Sequence, residues 1–290
     1  MTAVFDFSEP VLRRLAQDDV ARALAEDLGA GDLTAGLIDP AQQAHARILA
    51  RESAVICGAA WAEAALQQVV PGAQASWWVR DGQRCTADQV VLEITGPARG
   101  LLTAERTVLN FLQLLSAVAT KTAEYVAAVN SVPGNRARIV DTRKTLPGLR
   151  MAQKYAVTCG GGLNHRIGLY DAVLIKENHI AAAGGVTAVL RRAAAVAPTA
   201  KFVEIEVETL AQLQEALQAG ASMVLLDNMD LPTLREAVRI NAGRAILEVS
   251  GGVNLGTVRD IAATGVDRIS IGALTKDVKA VDFSMRFSSD

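Results

Sequence analysis

The chain is poor in aromatic residues, 4% of 290, and has only three cysteines. Cys57, Cys85 and Cys159 lie far apart, which argues against a disulfide framework or a structural zinc site. No apolar run reaches the roughly 20 residues that a membrane crossing needs. The opening MTAVFDFSEP shows no basic segment followed by an apolar core. The expectation is a soluble cytoplasmic protein with no membrane partner. Charge of neither sign dominates: 29 Lys and Arg stand against 31 Asp and Glu, for a net −2. Nucleic-acid binders usually carry a broad basic face, so nucleic acid is not the expected partner. No nucleophile with a neighbouring base stands out. Cys159 reads as a small buried residue, and Trp77 with Trp78 as core and interface.

What remains is an alanine-rich chain, half hydrophobic and long enough for two domains or a barrel with an added piece. Residues 10–28 have helical spacing closed by Gly29, and residues 31–34 form a turn. Strands are expected over 44–50, 54–57, 75–79 and 89–95, with a helix over 59–70 ended by Pro71 and Gly72. That mixture without repetition predicts an α+β domain. A long helix is expected over 102–129, with Thr103 as N-cap and Arg106 in its first turn. A cation there opposes the helix dipole. It reads either as a solvated arginine or as one reaching an anion. After Pro133 the pattern becomes βα repetition. Six apolar runs end in Asp141, Lys176, the segment around Glu206, Asp227, Ser250 and Gly272, with helices over 186–196, 210–219, 231–240 and 255–264 after the second to fifth. Gly220, Gly243 and Gly265 close three of the helices. Parallel strands joined by helices, six of them rather than eight, predict an α/β fold of barrel or open-sheet type.

Residues 141–180 concentrate charge. Six Lys and Arg, three acids, His165 and His179 lie beside apolar strand ends. Cations there are costly unless an anion meets them, so a pocket for a multiply charged anion is expected. In parallel βα architectures the C-terminal strand ends surround the ligand. That groups the cationic Thr142-Arg143-Lys144, His165-Arg166 and Lys176 with the acids Glu206 and Asp227. It adds the small loops Ser250-Gly251-Gly252 and Ile271-Gly272-Ala273. Arginine forks onto carboxylates, and glycine loops before helix N-termini suit phosphate. Any one of these cations alone is ordinarily a surface ion pair; their recurrence at strand ends weakens that reading. Glu204, Glu206 and Glu208 alternate with Val203, Ile205 and Val207, so the acids should point inward, where Mg²⁺ suits carboxylate and substrate oxygens. Structural salt bridges to Lys144 or Lys176 explain Glu204 and Glu208 equally well. Gly160-Gly161-Gly162 reads as a flexible turn before His165, itself a structural histidine if considered alone.

The run TRKTLPGLR at 142–150, followed by KYAV, GGG, NHR, GL, LIK and NH up to residue 179, resembles the quinolinate phosphoribosyltransferase family. Weaker echoes are EDLGAGDLT at 26–34, AER at 104–106, SGG at 250–252 and SIGALT at 270–275. The resemblance implies an α+β sandwich-like domain, here 1–112, before an incomplete six- to seven-stranded βα barrel, 113–276, with 277–290 returning to the first domain. It implies transfer of phosphoribose from phosphoribosyl pyrophosphate to quinolinate with decarboxylation, in de novo NAD biosynthesis. Arg106, Arg143, His165, Arg166 and Lys176 would grip the two carboxylates of quinolinate, and Thr142 would also bind substrate. Lys144, Glu206, Asp227 and the two glycine loops would hold phosphoribose, pyrophosphate and Mg²⁺, with Lys144, Glu206 and Asp227 nearest the chemistry. It further implies a homodimer or hexamer in which Arg106 enters the partner's site. Other readings are a paralogue for another acidic heterocycle or for molybdenum uptake, a non-catalytic phosphate-ligand binder, and a barrel enzyme using Lys176 as a Schiff base.

Overall fold

The computed structural model describes residues 6–288. Its first elements are α1 (Glu9–Leu28), β1 (Gln43–Ala50), β2 (Ala54–Val55), α2 (Ala59–Val69), β3 (Gln74–Trp77), β4 (Arg84–Cys85) and β5 (Val90–Pro97). The long α3 (Ala98–Asn130), β6 (Arg138–Val140) and α4 (Arg150–Cys159) follow. Alternation then runs through β7 (Val173–Ile175), α5 (Glu177–Ala183), α6 (Val186–Ala193), β8 (Val203–Val207), α7 (Leu210–Gln218), β9 (Met223–Asp227), α8 (Leu231–Asn241), β10 (Ile246–Ser250), α9 (Val258–Ala262), β11 (Arg268–Ser270) and α10 (Ala273–Lys276), before β12 (Phe283–Phe287).

The chain forms two compact units. One gathers residues 6–123, 146–161 and those from 277 on. Its antiparallel sheet has the order β12-β1-β5-β3, so the C-terminal strand pairs with β1, Ala46 opposite Phe287. Ala46, Ile48 and Ala50 alternate into its core. Trp61 is fully buried there, its indole N–H donating to Asp19 at 2.9 Å. The core part of the expectation for Trp77 and Trp78 does not hold. Trp78 is exposed, and Trp77 is half-buried with its indole N–H donating to Glu63.

The expected boundary at residue 112 falls inside α3, a single helix. α3 also begins at Ala98, earlier than its apolar stripe suggests. Gly100 does not break it, because the missing side chain admits Val70; a Cβ would stand 2.7 Å from the Val70 side chain. Thr103 is therefore no N-cap. Its hydroxyl sits within the helix and engages Arg99 O and Asp32 Oδ2 at 3.0 and 2.8 Å. Arg106 lies beyond the second turn, out of reach of the dipole argument.

The other unit, residues 124–145 and 162–276, holds a six-stranded parallel sheet of order β6-β11-β10-β9-β8-β7. It is the expected incomplete βα barrel. Leu163 adds a one-residue parallel bridge outside β6 at Val140. Strands spaced about 4.8 Å apart would put the outer strands of a flat six-stranded sheet about 24 Å apart. Arg143 follows β6 and Lys176 follows β7, yet both line one cavity, so the sheet is strongly curled. Ile205, Val207, Val224, Leu226, Leu247 and Val249 are buried between sheet and helices. The opposite parity faces the barrel interior.

Candidate active site

The cavity at the C-terminal strand ends has a volume of about 170 Å³. Of the expected residues, Thr142, Arg143, Lys144, His165, Arg166, Lys176, Glu206 and Ser250 line it. Asp141, Leu174, Leu225, Glu248 and Ser270 complete the wall. Asp227 ends β9 opposite Ser250 in register, its carboxylate accepting from Asn228 Nδ2 at 2.7 Å. Gly251 packs against Asn228 so closely that a Cβ would fall 2.1 Å from the Asn228 side-chain oxygen, and its φ is +99°. Gly272 lies under the Lys144 side chain, where a Cβ would stand 2.9 Å from Cδ. Thr275 donates to Lys144 O at 2.7 Å. The two small loops thus border Asp227 and Lys144, while Asp227, Gly251, Gly252, Ile271, Gly272 and Ala273 do not line the cavity itself. Arg106 is exposed on α3 in the other unit and is not a lining residue.

The loop after Leu163 carries His165 and Arg166, and buried acids set its shape. Asp141, wholly buried, accepts from His165 N at 2.8 Å and from Asn164 Nδ2 at 2.7 Å. Asp171 accepts from the backbone of Ile167 and Gly168, both at 2.9 Å. The glycine run is built rather than loose. Gly160 closes α4, and a Cβ there would strike Ala119 O at 2.4 Å, so glycine permits contact with α3.

Arg166 is 7% exposed and donates to Ala172 O at 3.3 Å. Burial, then the neighbouring Arg143 charge, lower its pKa, partly offset by Asp171 and Glu204. These surroundings make the charged form less favourable than in water, so an anion placed beside Arg166 would be well received. Lys176 Nζ lies 2.6 Å from Glu206 Oε2, so Glu206 takes the ion-pair role weighed for its neighbours. Burial raises the pKa of Asp227, with Lys176 opposing.

Below Glu206 is a polar layer that the motif reading did not bring together. Glu204 points inward as expected but pairs with neither Lys144 nor Lys176. Its Oε2 is 2.8 Å from His165 Nε2, and Glu248 Oε1 is 3.6 Å from the same nitrogen. Arg268 Nε lies 2.8 Å from Glu248 Oε2, an ion pair off the hydrogen-bond axis. Desolvation lifts both carboxyls to about 7. Glu208 is exposed beyond the strand. The available signal was parity: residues 248 and 250, like 268 and 270, alternate as 204 and 206 do.

Elsewhere, Cys57, Asp81 and Cys159 bring their ligating atoms within 4.8 Å of one another, although the cysteines are remote in sequence. Asp81 is already engaged by Ala59 N at 3.1 Å and the Tyr155 hydroxyl at 2.9 Å.

Residues 32–116 match the family described as quinolinate phosphoribosyl transferase, N-terminal domain, and residues 118–286 match its C-terminal domain. The chain is 44% identical over 277 residues to a nicotinate-nucleotide pyrophosphorylase [carboxylating] of Mycobacterium leprae, covering 93% of this chain and 96% of that one. It is 41% identical over 260 residues to a probable nicotinate-nucleotide pyrophosphorylase [carboxylating] of Bacillus subtilis, covering 90% and 89%. The solved nicotinate-nucleotide pyrophosphorylase of Francisella tularensis superimposes with a TM-score of 0.91 at 42% identity, over 95% of this chain and 97% of that one. With both domains matched and a cation-rich cavity at the strand ends, the chain belongs to the quinolinate phosphoribosyl transferase family.

Proposed function

We propose that this protein transfers the phosphoribosyl group of phosphoribosyl pyrophosphate to quinolinate with loss of CO₂, yielding nicotinate mononucleotide and pyrophosphate for NAD biosynthesis. The observation that carries this reading is the convergence of Arg143, Arg166 and Lys176, from opposite ends of the sheet order, on one cavity that also holds Glu206. A dianionic pyridine dicarboxylate answers such a set, because each carboxylate offers a bidentate partner for guanidinium. Arg143, Arg166, Lys176 and His165 grip quinolinate in this reading. Lys144, Ser250 and the loops at 251–252 and 271–273 hold the phosphates.

The chemistry needs little from a nucleophilic side chain. The pyridine nitrogen attacks the anomeric carbon as pyrophosphate leaves, and positive charge builds on the sugar ring. Positioning and charge stabilisation carry the rate. Glu206 and Asp227 lie on the adjacent strands β8 and β9 and offer carboxylate oxygens to the ribose hydroxyls or the developing cation. The same pair fits Mg²⁺, which takes one or two carboxylates, keeps several waters and binds substrate phosphates. The raised pKa of Asp227 supports that fit, since burial penalises its charge more than Lys176 compensates it. Bound there, Mg²⁺ would neutralise the departing pyrophosphate. Once the ring nitrogen is quaternised, its charge stabilises the carbanion left by CO₂. A homodimer in which Arg106 completes the partner's site, working in the cytoplasm, fits an arginine exposed on α3. No helix among the described residues is long and apolar enough to cross a membrane.

The deciding experiment incubates the protein with quinolinate, phosphoribosyl pyrophosphate and Mg²⁺ and follows nicotinate mononucleotide. Product is expected, and is lost on chelation; its absence at saturating substrates overturns the reading.

A further inference from the structure

Glu204 and Glu248 take no part in the scheme above, yet both are wholly buried, Glu248 within the cavity wall and Glu204 behind the wall residue His165. They come from β8 and β10 and reach the same nitrogen of His165, at 2.8 and 3.6 Å. Phe202 meets the imidazole edge-on, with ring centroids 5.1 Å apart. Arg268 from β11 is 2.8 Å from the far oxygen of Glu248, and its Nη1 is 3.9 Å from the sulfur of Met223. The Nε2 edge of His165 thus faces two buried carboxyls, and Phe202 meets the ring from another side.

Fold stability alone does not account for such a layer. Barrel interiors are normally filled by branched apolar side chains, and those are as stabilising as a buried ion network or more so. Glu204 Oε1 is buried without a hydrogen-bond partner, and neither Glu248 oxygen makes a well-directed hydrogen bond, the neighbouring Ser270 hydroxyl donating to Val249 O at 3.3 Å instead. A layer kept for stability would be expected to satisfy these atoms. The feature they share is His165, whose side chain is 7% exposed and which lines the cavity.

We propose that Glu204 and Glu248 are positioning residues for quinolinate recognition: by fixing Nε2 of His165 from behind, they set the plane and position of the imidazole in the cavity wall, and so the fit of the pyridine dicarboxylate. This rests on the reading of the cavity as the quinolinate site. Both carboxyls act here through the imidazole, and neither is assigned a contact with substrate. Their contribution belongs to binding of the dicarboxylate and not to the phosphoribosyl donor, whose proposed contacts lie at Lys144, Asp227 and the glycine loops.

The test compares Glu248→Gln, Glu204→Gln, His165→Asn and the double variant His165→Asn/Glu248→Gln, with Arg143→Ala as the control for the cavity assignment. Partners that orient histidine ligands at metal sites are worth about 10- to 100-fold, and the same scale is expected here in the KM for quinolinate. The KM for phosphoribosyl pyrophosphate should stay within about twofold. In the His165→Asn background Glu248→Gln should have almost no further effect, because the coupling runs through the ring. If Arg143→Ala raises the quinolinate KM while both Gln variants fold and leave it unchanged, the positioning proposal fails and the cavity reading survives. If Arg143→Ala also leaves it unchanged, the cavity reading fails. An undiminished effect of Glu248→Gln without His165 overturns the route through the imidazole. Should the Gln variants not fold, ¹⁵N imidazole spectra of the intact enzyme, which has three histidines, carry the test. The Nε2 signal of His165 is expected to be displaced from that of a free imidazole by its carboxyl partners and to be unmoved by quinolinate. A free-imidazole signal overturns the proposal.

Discussion

Replacing Arg166 with Met separates the enzyme's stability from its affinity. This guanidinium is buried, lies near the Arg143 charge, and donates, among the described residues, one 3.3 Å hydrogen bond, to Ala172 O. Burial and the Arg143 charge make its charged form costlier than in water, although the guanidinium stays charged. Methionine keeps the apolar stem and removes both the desolvation and the repulsion. The ligand-free protein should therefore change by no more than about 1 kcal/mol, small beside a typical buried-charge deletion of about 3–5 kcal/mol. Binding should respond very differently. Truncating one partner of a buried charge pair costs about 2–5 kcal/mol. Taking about 3 kcal/mol, quinolinate binding weakens by about 150-fold. Calorimetric titration with quinolinate measures the second quantity. Thermal melts with and without ligand measure the first, and the ligand-induced rise in Tm should disappear. The reasoning is refuted if the variant binds within about fivefold of the parent enzyme, a difference of only about 1 kcal/mol. It is equally refuted if the empty variant melts far below the parent, for Arg166 would then be structural.

Gly251→Ala forces a side chain toward Asn228 at a φ of +99°, so the KM for phosphoribosyl pyrophosphate should rise with that for quinolinate nearly unchanged; equal effects on both would detach this loop from the phosphates. Stability should fall as pH rises from about 4.5 to 7, because Glu204 and Glu248 hold protons up to about 7 in the folded state and release them near 4.5 when unfolded. One such carboxyl is worth at most about 3 kcal/mol across that window, and Glu248→Gln should flatten the slope in denaturant titrations; an unchanged slope contradicts the assignment. Mixing Arg106→Ala with Lys176→Ala subunits should restore part of the activity lost in each alone if sites are shared, and verified mixed dimers that stay inactive argue against sharing.

The βα rhythm was readable because each buried parallel strand is a short apolar run ending in a functional residue, and C-terminal glycines such as Gly220 and Gly265 punctuate the helices. The convergence of Arg143, Arg166 and Lys176 was readable for the same reason: strand ends in a parallel sheet share one side. What escaped depends on contacts between remote segments. Gly100 looks like a boundary until Val70 is placed against it. Trp61 and Trp78 have the same hydrophobicity, and only the fold decides which is buried. Cys57 and Cys159 meet through tertiary packing that no spacing rule encodes. The layer of Glu204, Glu248 and Arg268 was half legible, since the alternation applied to β8 holds on β10 and β11 as well. The helices α4 and α5 escaped because the charged and glycine-containing motifs around them read as loop.

Leu163 lies alongside β6, accepting from Asp141 N at 3.0 Å and donating to Ile139 O at 2.8 Å. Two residues later the chain delivers His165, and three residues later Arg166. An open sheet border is normally an invitation to unwanted pairing; here the cover over that border is the segment that carries the ligand grip. Fraying at the rim and loosening of the grip are then one event. Amide hydrogens of Leu163 and Asp141 should exchange with solvent more slowly once an anion holds Arg166, making the sheet margin a reporter of occupancy.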